Sequence, residues 1–278
     1  MAHTITSMAV FCDFENIALG VRDAKYAKFD IDRVLERLLL KGSIVVKKAY
    51  CDWERYKEFK ASMHEASFEM IEIPHLRMSG KNSADIRLVV DALDLCYTKA
   101  HVDTFVIISG DSDFSPLVSK LRENNKTVIG VGVKSSTSDL LIANCDEFIY
   151  YDDLVRQEEK KKQRARRKPT HAHKQQAGGA AKDAGKPEHS EEDDRKLKAF
   201  DLVMDTIEEL ARERDQDEKI WGSMVKQALK RRDPGFNESY FGFRTFSDLL
   251  EEAQQRGLLT LEPDQKSGGY IIRRAEHD

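Results

Sequence analysis

Residues 106–114, V-I-I-S-G-D-S-D-F, decide how the first part of this chain folds. The run of apolar β-branched residues predicts a buried strand, Gly110 follows it, and Asp111 and Asp113 place two carboxylates just beyond its end. In an open α/β sheet, ligands bind outside the carboxyl ends of the strands. The two aspartates are therefore predicted to lie where such a fold carries its chemistry.

The segments around this stretch alternate between strand and helix patterns. Short apolar or alternating runs predict strands at residues 8–12, 43–51, 68–73, 104–109, 127–133 and 147–151. Apolar residues at helical spacing predict helices at residues 31–40, 54–66, 83–99, 116–124 and 138–144. Strands that alternate with helices predict an α/β fold, in which helices cover both faces of a parallel sheet.

The length and the local composition predict two domains. A chain of 278 residues suits two domains at roughly 100–200 residues each. Residues 156–194 contain almost no large apolar side chains, begin with a basic run and end in acidic residues, so they are predicted to be a disordered, charged linker. The first domain is then 1–155. In the second, 195–278, three helical patterns precede a hairpin, which indicates a small winged-helix module.

Composition excludes several classes of function and favours a cytoplasmic protein. The net charge of -4 argues against a uniformly basic nucleic-acid binder. Four widely spaced cysteines are expected to be buried thiols, and the chain shows neither a signal peptide nor an apolar run of about 18 residues for a membrane span. Phosphate-binding glycine loops, a G-x-S-x-G elbow and zinc-like histidine spacing are also absent. The sequence is nearly silent on the oligomeric state.

Acidic residues from three places in the sequence are predicted to converge. Asp13 ends the first predicted strand, and Asp111 and Asp113 follow the fourth, so the three groups meet if these strands are neighbours. Asp85, in the first turn of the long helix, is a fourth candidate. Converging carboxylates repel one another unless a divalent cation lies between them, and oxygen ligands suit Mg²⁺ or Mn²⁺. Asn16 can orient a water molecule or a phosphate beside them.

The acids on the long helix also have structural interpretations. Ser83 can cap this helix, and an acid in the first turn, such as Asp85, is favoured by the helix dipole. Asp91 and Asp94, further along, are expected on a solvated face. Taken alone, Asp85 is explained better by the helix terminus than by a metal site.

The other three aspartates are harder to explain by structure alone. Asp111 and Asp113 can serve as turn or capping residues. Ser115 followed by Pro116 is, however, expected to supply the N-cap and the first helical position, which leaves the two acids without a capping role. Asp13 directly follows a buried strand, and the sequence suggests no structural role for it.

Four motifs together resemble the NYN domain, a branch of the PIN-like nucleases, over about residues 7–155. They are F-C-D-F-E-N at 11–16, S-A-D-I-R-L-V-V-D-A-L at 83–93, S-G-D-S-D-F at 109–114 and G-V-G-V-K-S-S-T-S-D-L-L at 130–141. The resemblance implies a metal-dependent ribonuclease that uses Mg²⁺ or Mn²⁺. Its catalytic and metal-binding acids would be Asp13, Asp85, Asp111 and Asp113, with Asn16 beside them.

Residues 195–274, including D-P-G-F-N-E-S-Y-F-G-F-R-T-F-S-D-L-L at 233–250, resemble the OST-HTH/LOTUS winged-helix domain. The resemblance implies RNA binding and protein partners. Basic residues that could contact phosphates are Lys226, Lys230, Arg231, Arg232, Arg244, Lys266, Arg273 and Arg274. Three glutamates of the first helix, Glu208, Glu209 and Glu213, would repel RNA if they faced it. The phenylalanines at 236, 241, 243 and 246 could stack on bases, but most are expected in the core.

Three functions follow from these observations. The first is an Mg²⁺- or Mn²⁺-dependent endoribonuclease whose winged helix holds RNA. The second is a non-catalytic RNA-binding or regulatory adaptor that retains the acidic cleft. The third is a hydrolase or transferase of small phosphorylated molecules, which the tethered winged helix disfavours.

Overall fold

The computed structural model describes residues 6–73, 82–166, 191–212, 219–264 and 269–274. By their contacts these residues divide into two units. The first unit holds the described residues up to Val155 together with Lys230–Phe236, and the second holds the remainder. None of the described helices is long and apolar enough to cross a membrane.

The first unit is built on a parallel sheet of six strands in the order β3-β2-β1-β4-β5-β6. The strands are β1 (Ser7–Asp13), β2 (Ser43–Cys51), β3 (Glu69–Glu72), β4 (Thr104–Ile108), β5 (Thr127–Gly132) and β6 (Glu147–Tyr150). The helices are α1 (Phe14–Asp23), α2 (Ile31–Leu39), α3 (Lys60–Glu65), α4 (Ser83–Thr98), α5 (Ser115–Glu123), α6 (Asp139–Asn144) and α7 (Tyr151–Arg166). The predicted α/β class is confirmed.

The order of the strands reverses between β1 and β4. β1 pairs with β2 on one side and with β4 on the other, where Cys12 lies opposite Ile108. The condition set for the convergence of Asp13 with Asp111 and Asp113, that the first and fourth strands are neighbours, is therefore met. Their carboxyl ends lie side by side, at the switch point where this kind of sheet opens a crevice.

The central strand β1 is buried on both faces, which explains its continuous apolar run. Met8, Val10 and Cys12 belong to one hydrophobic cluster, and Ala9 and Phe11 belong to a second. The first cluster takes in side chains of α1 and α2, the second those of α4 and α5. All four cysteines are free and buried, as expected.

Three elements differ from the prediction. Helix α1 is not predicted, because its buried residues Phe14, Ile17 and Val21 are few; Phe14 anchors it with its ring centroid 5.0 Å from those of Trp53 and Phe59. The helix predicted at 54–66 is shorter, a 3-10 turn followed by α3. The third strand, predicted at 68–73 from its alternating pattern, is also shorter, since β3 has four residues.

The linker prediction is wrong at both ends. Residues 156–166 continue α7, and 191–194 begin α8 (Glu191–Arg212). In α7, acidic residues stand in the first turn and basic residues follow towards the end, a charge order that the helix dipole favours. The rest of the predicted linker, 167–190, lies outside the described residues.

The second part of the chain has the elements of a winged helix. After α8 come β7 (Ile220–Trp221), α9 (Gly222–Arg232), α10 (Phe246–Gln255), β8 (Leu259–Pro263) and β9 (Tyr270–Arg274). The strands form an antiparallel sheet in the order β7-β9-β8, so β7 adds a strand to the predicted hairpin. The four phenylalanines at 236, 241, 243 and 246 are buried, which confirms their core role.

Candidate active site

Asp13 stands where β1 ends and α1 begins. Its side chain is almost fully buried, with 6% exposed. Its Oδ1 accepts a hydrogen bond from the backbone N–H of Asn16 at 3.4 Å, so Asp13 is the N-cap of α1. The expectation that Asp13 has no structural role is therefore wrong. Helix α1, absent from the prediction, is what supplies that role.

Ser109, which the sequence analysis did not single out, joins Asp13 to the loop after β4. Its buried Oγ donates to Asp13 Oδ2 at 2.9 Å and accepts from the backbone N–H of Asp111 at 3.2 Å. Asn16 acts on the same loop, since its Oδ1 accepts from the backbone N–H of Gly110 at 2.8 Å. The side-chain amide oxygen of Asn16 therefore fixes this loop, because it is hydrogen-bonded to the backbone of Gly110.

Asp111 and Asp113 follow β4 in a 3-10 turn. Asp111 caps this turn, because its Oδ1 accepts from the backbone N–H of Asp113 at 3.0 Å. The predicted capping by Ser115 is wrong: Phe114 is the N-cap of α5, Ser115 is its first residue, and Pro116 follows. The Ser115 Oγ is buried and has no hydrogen-bond partner among the described residues. Asp111 therefore caps a helical turn, contrary to the expectation that it has no capping role.

Asp85 lies in the first turn of α4, half-buried. Asn82 is the N-cap of this helix, without a side-chain capping hydrogen bond, and Ser83 is its first helical residue. The expected cap at Ser83 is therefore wrong. Residues 74–81, which precede this turn, lie outside the described residues.

The four aspartates, called the acidic cluster below (Asp13, Asp85, Asp111 and Asp113), act on one another electrostatically. Burial, followed by the negative charge of Asp85, raises the pKa of Asp13 to about 7, against the lowering effect of its bonds to Ser109 and Asn16. Burial, followed by the charges of Asp111, Asp113 and Glu15, raises the pKa of Asp85 to about 6. The charges of Asp85 and Asp111 thus act on Asp13, and those of Asp111 and Asp113 act on Asp85, so the four acids lie near one another at the carboxyl-terminal edge of the sheet.

The donor set of the acidic cluster fits a hard divalent cation. Its donors are carboxylate oxygens, the ligands that Mg²⁺ and Mn²⁺ prefer, and a positive charge would relieve their repulsion. Within the described part of the chain, no three acidic, histidine or cysteine side chains are arranged so that they could already hold a metal ion. Mg²⁺ commonly uses only one or two protein carboxylates and completes its shell with water and substrate phosphates.

Two further acids of this domain, Asp91 and Glu15, have structural partners. Asp91, expected on a solvated face, is largely buried and accepts hydrogen bonds from Tyr50 Oη at 2.9 Å and Arg87 Nε at 3.0 Å. That expectation is wrong for Asp91. Glu15, at the start of α1, pairs with Arg55 at 3.1 Å.

The family comparison covers the part of the chain that carries the acidic cluster. The family model of the NYN domain matches residues 7–152, more than half of the chain. This chain belongs to the NYN-domain family. The NYN domain is followed by a match to the OST-HTH/LOTUS domain at residues 200–270. Both resemblances found in the sequence are confirmed, as is the PIN-like fold class.

The NYN-domain relatives include an mRNA factor and an archaeal protein. "Meiosis regulator and mRNA stability factor 1" of Xenopus tropicalis is 26% identical over 155 residues, 56% of this chain and 9% of that protein. An uncharacterized Methanocaldococcus jannaschii protein is 26% identical over 117 residues, 42% of this chain. The chain thus spans less than half the length of either relative, 45% for the archaeal protein.

A solved structure is also similar to part of this chain. It is a protein of unknown function from Vibrio parahaemolyticus, with 27% sequence identity and a TM-score of 0.49. The match covers 55% of this chain and 98% of that one.

The basic residues predicted to contact RNA differ in their availability. Lys226 pairs with Glu238 at 2.8 Å, and its Nζ lies 5.9 Å from the centre of the Phe246 ring. Arg231, Arg232 and Arg244 are exposed, and Lys230 is half-buried. The side chains of Lys266, Arg273 and Arg274, and the residue Glu213, lie outside the described residues.

Replacing Asp85 with Asn is expected to stabilise the metal-free protein at neutral pH. The raised pKa means that the folded state holds the proton of Asp85 more tightly than the unfolded state, so this contribution to stability is present below about pH 4 and is lost as pH rises through about 6. Because Asp85 is half-exposed, solvent screening reduces the gain from Asn to roughly 1 kcal/mol, or about 2–4 °C in melting temperature.

Thermal melts in EDTA between acidic and neutral pH measure this effect. The variant should exceed the wild type at neutral pH and match it in acid, whereas Asp94→Asn, an exposed position on the same helix, should change neither curve. Equal melting temperatures of wild type and Asp85→Asn at neutral pH would show that Asp85 is not under charge repulsion.

Proposed function

We propose that the protein is a metal-dependent endoribonuclease that hydrolyses RNA phosphodiesters at the acidic cluster. The observation that carries the proposal is the electrostatic coupling of Asp13, Asp85 and Asp111 at the switch point of a NYN-domain sheet. Perturbed carboxylates that meet in a crevice are the arrangement expected of a catalytic site. The NYN domain and a relative whose name describes an mRNA stability factor support an RNA substrate.

In this proposal the four acids differ in how many hydrogen bonds to the protein fix their side chains. Asp13 is fixed by Ser109 and Asn16 and is nearly buried, so it serves as the rigid ligand for a cation. Asp111 is fixed by the turn that it caps. Asp85 adds its negative charge from the first turn of α4, and Asp113 adds its charge from the 3-10 turn. A bound Mg²⁺ or Mn²⁺ would supply an activated water and stabilise negative charge on the phosphodiester.

The second domain would hold RNA for the first. The exposed arginines Arg231, Arg232 and Arg244 can contact phosphates in a sequence-independent way. A tethered binding module raises the effective concentration of RNA at the catalytic domain without any new contact at the site. The proposal places the enzyme in the cytoplasm, a reducing compartment that suits four free, buried thiols.

The test is cleavage of end-labelled single-stranded and hairpin RNA by the full chain. Cleavage is expected with Mn²⁺ or Mg²⁺, is expected to stop in EDTA, and should return when the cation is restored in excess. Cleavage that persists in EDTA would remove the metal from the proposal. Absence of cleavage on both RNA forms with both metals would contradict the enzymatic function.

A non-catalytic RNA-binding adaptor is the second candidate. It is favoured by one observation, that Asp13 and Asp111 cap α1 and the 3-10 turn and so have structural roles that need no turnover. An adaptor would bind RNA with equal affinity in EDTA and in Mn²⁺, and would leave the RNA intact.

A further inference from the structure

A cavity of about 350 Å³ opens beside α1, outside the acidic cluster. Its walls are the second half of α1, the loop 26–29 that follows it, and residues 55–59, which come after β2. This volume is within the range of small-ligand pockets in proteins, about 300–1,000 Å³. The proposed chemistry at the acidic cluster does not use it.

Three cations line the cavity. Arg22 is the most available, because its side chain is 74% exposed and its nearest acid, the equally exposed Asp23, is 3.6 Å away. The Nζ of Lys28 donates to the backbone carbonyl of Glu58 at 3.0 Å and lies 4.6 Å from the centre of the Phe59 ring. Arg55 is half-exposed. Among the lining residues, these three cations outnumber the one acid, Glu58.

Aromatic rings form the other walls. The Tyr56 ring packs edge-on against Phe14, with the centroids 5.6 Å apart. The Tyr26 ring meets Tyr151 edge-on at 6.1 Å, and its hydroxyl donates to Asp152 at 3.0 Å. These contacts hold both rings in place, and an aromatic face held in this way is a platform on which a base can stack.

The cavity adjoins the acidic cluster through one ion pair. Arg55 lines the cavity and contacts Glu15 at 3.1 Å. Glu15, in turn, lies close enough to Asp85 for its charge to act on that carboxyl group. Glu15 therefore links the Arg55 end of the cavity to the side of the acidic cluster that carries Asp85.

We propose that this cavity binds one nucleotide of the RNA strand beside the scissile phosphate. The base packs against Tyr56 and Tyr26, and Arg22 and Arg55 contact the phosphate that follows. The combination suits a nucleic acid because cations position the backbone while aromatic faces accept a base of any identity. That the bound polymer is RNA rests on the proposed function. The cavity adds to that function a subsite that positions the RNA strand.

Photo-crosslinking tests the subsite without depending on cleavage. The full chain carrying Asp111→Asn is irradiated with single-stranded polyuridine that contains 4-thiouridine, and crosslinked peptides are mapped by mass spectrometry. Crosslinks are expected in the segments 18–29 and 55–59. Combining Arg22→Ala with Arg55→Ala should weaken them roughly tenfold, the loss expected for one nucleotide contact. Arg37→Ala, near the end of α2 and outside the cavity lining, is the matched control and should not change them.

The outcomes separate this subsite from the proposed function. Crosslinks absent from both segments, or unchanged in the double variant, would overturn the subsite even if the wild type cuts RNA. Crosslinks that depend on Arg22 and Arg55 would support it even if no cleavage is seen. If the double variant does not fold, Arg22→Ala alone, at an exposed position, should still weaken the crosslinks, and unchanged crosslinks would count against the proposal.

Discussion

Replacing Asp111 with Asn is expected to lower the rate of RNA cleavage by about 10²–10³-fold while the fold stays intact. Asn keeps the Oδ1 atom that accepts the backbone N–H of Asp113, so the 3-10 turn retains its cap. It removes the negative charge with which Asp111 would hold a cation. The loss should therefore appear in activity and not in stability.

Single-turnover cleavage of labelled RNA at saturating Mn²⁺ measures the effect, and thermal melting of the same samples reports on the fold. Asp103→Asn is the matched control. Asp103 lies just before β4, at the end of the strand away from Asp111, and its carboxylate also accepts a hydrogen bond from a backbone N–H, that of Ser7 at 3.4 Å. Equal rates for wild type and Asp111→Asn would remove Asp111 from the site.

Replacing Gly110 with Ala is expected to destabilise the protein by roughly 1–3 kcal/mol and to reduce cleavage as well. A Cβ atom at this position would lie 2.5 Å from the backbone carbonyl oxygen of Ser136. Backbone cannot rotate aside as a side chain can, so the loop that carries Asp111 must shift. That loop is held on both sides, since Gly110 accepts from the N–H of Ser138 and donates to Asn16.

Gly20→Ala is the matched comparison for this clash. Its Cβ would lie 2.4 Å from the Oγ of the same residue, Ser136, but this hydroxyl is the end of an exposed side chain that can turn away. The next contact, with the Val133 side chain at 3.3 Å, requires a shift of only a few tenths of an ångström. Since Ala also favours a helix over Gly, Gly20→Ala should be near neutral. Urea unfolding of the two variants should separate them, and equal stability would show that the loop after β5 yields to a Cβ at Gly110.

The sequence allowed the sheet and the convergence of the acids to be predicted because both follow from strand order. Buried strands such as β1 and β4 appear as apolar runs, and the carboxyl ends of neighbouring parallel strands meet at one edge. To predict that Asp13 lies beside the loop of Asp111, it is enough to know that β1 and β4 are paired. Individual side-chain contacts were not required for it.

The capping roles could not be predicted, because they depend on hydrogen bonds formed in the folded chain. Ser115 and Pro116 have the local pattern of a helix start, yet the structure begins α5 one residue earlier than expected and leaves the Ser115 hydroxyl buried. The bridge from Ser109 to Asp13 joins residues 96 positions apart. A serine in such a bridge has no local sequence signal.

Asp13 and Asp111 have a capping role as well as a proposed catalytic role. This difference from Asp85 and Asp113 affects which substitutions would identify an inactive relative. Asp13 and Asp111 each cap a turn of helix, so a relative without the proposed activity would still need a capping residue at these positions. Asp85 and Asp113 have no such second use among their described contacts, and Asp85 is held against electrostatic repulsion. Substitutions at these two positions would therefore be the earlier and clearer mark of a pseudoenzyme.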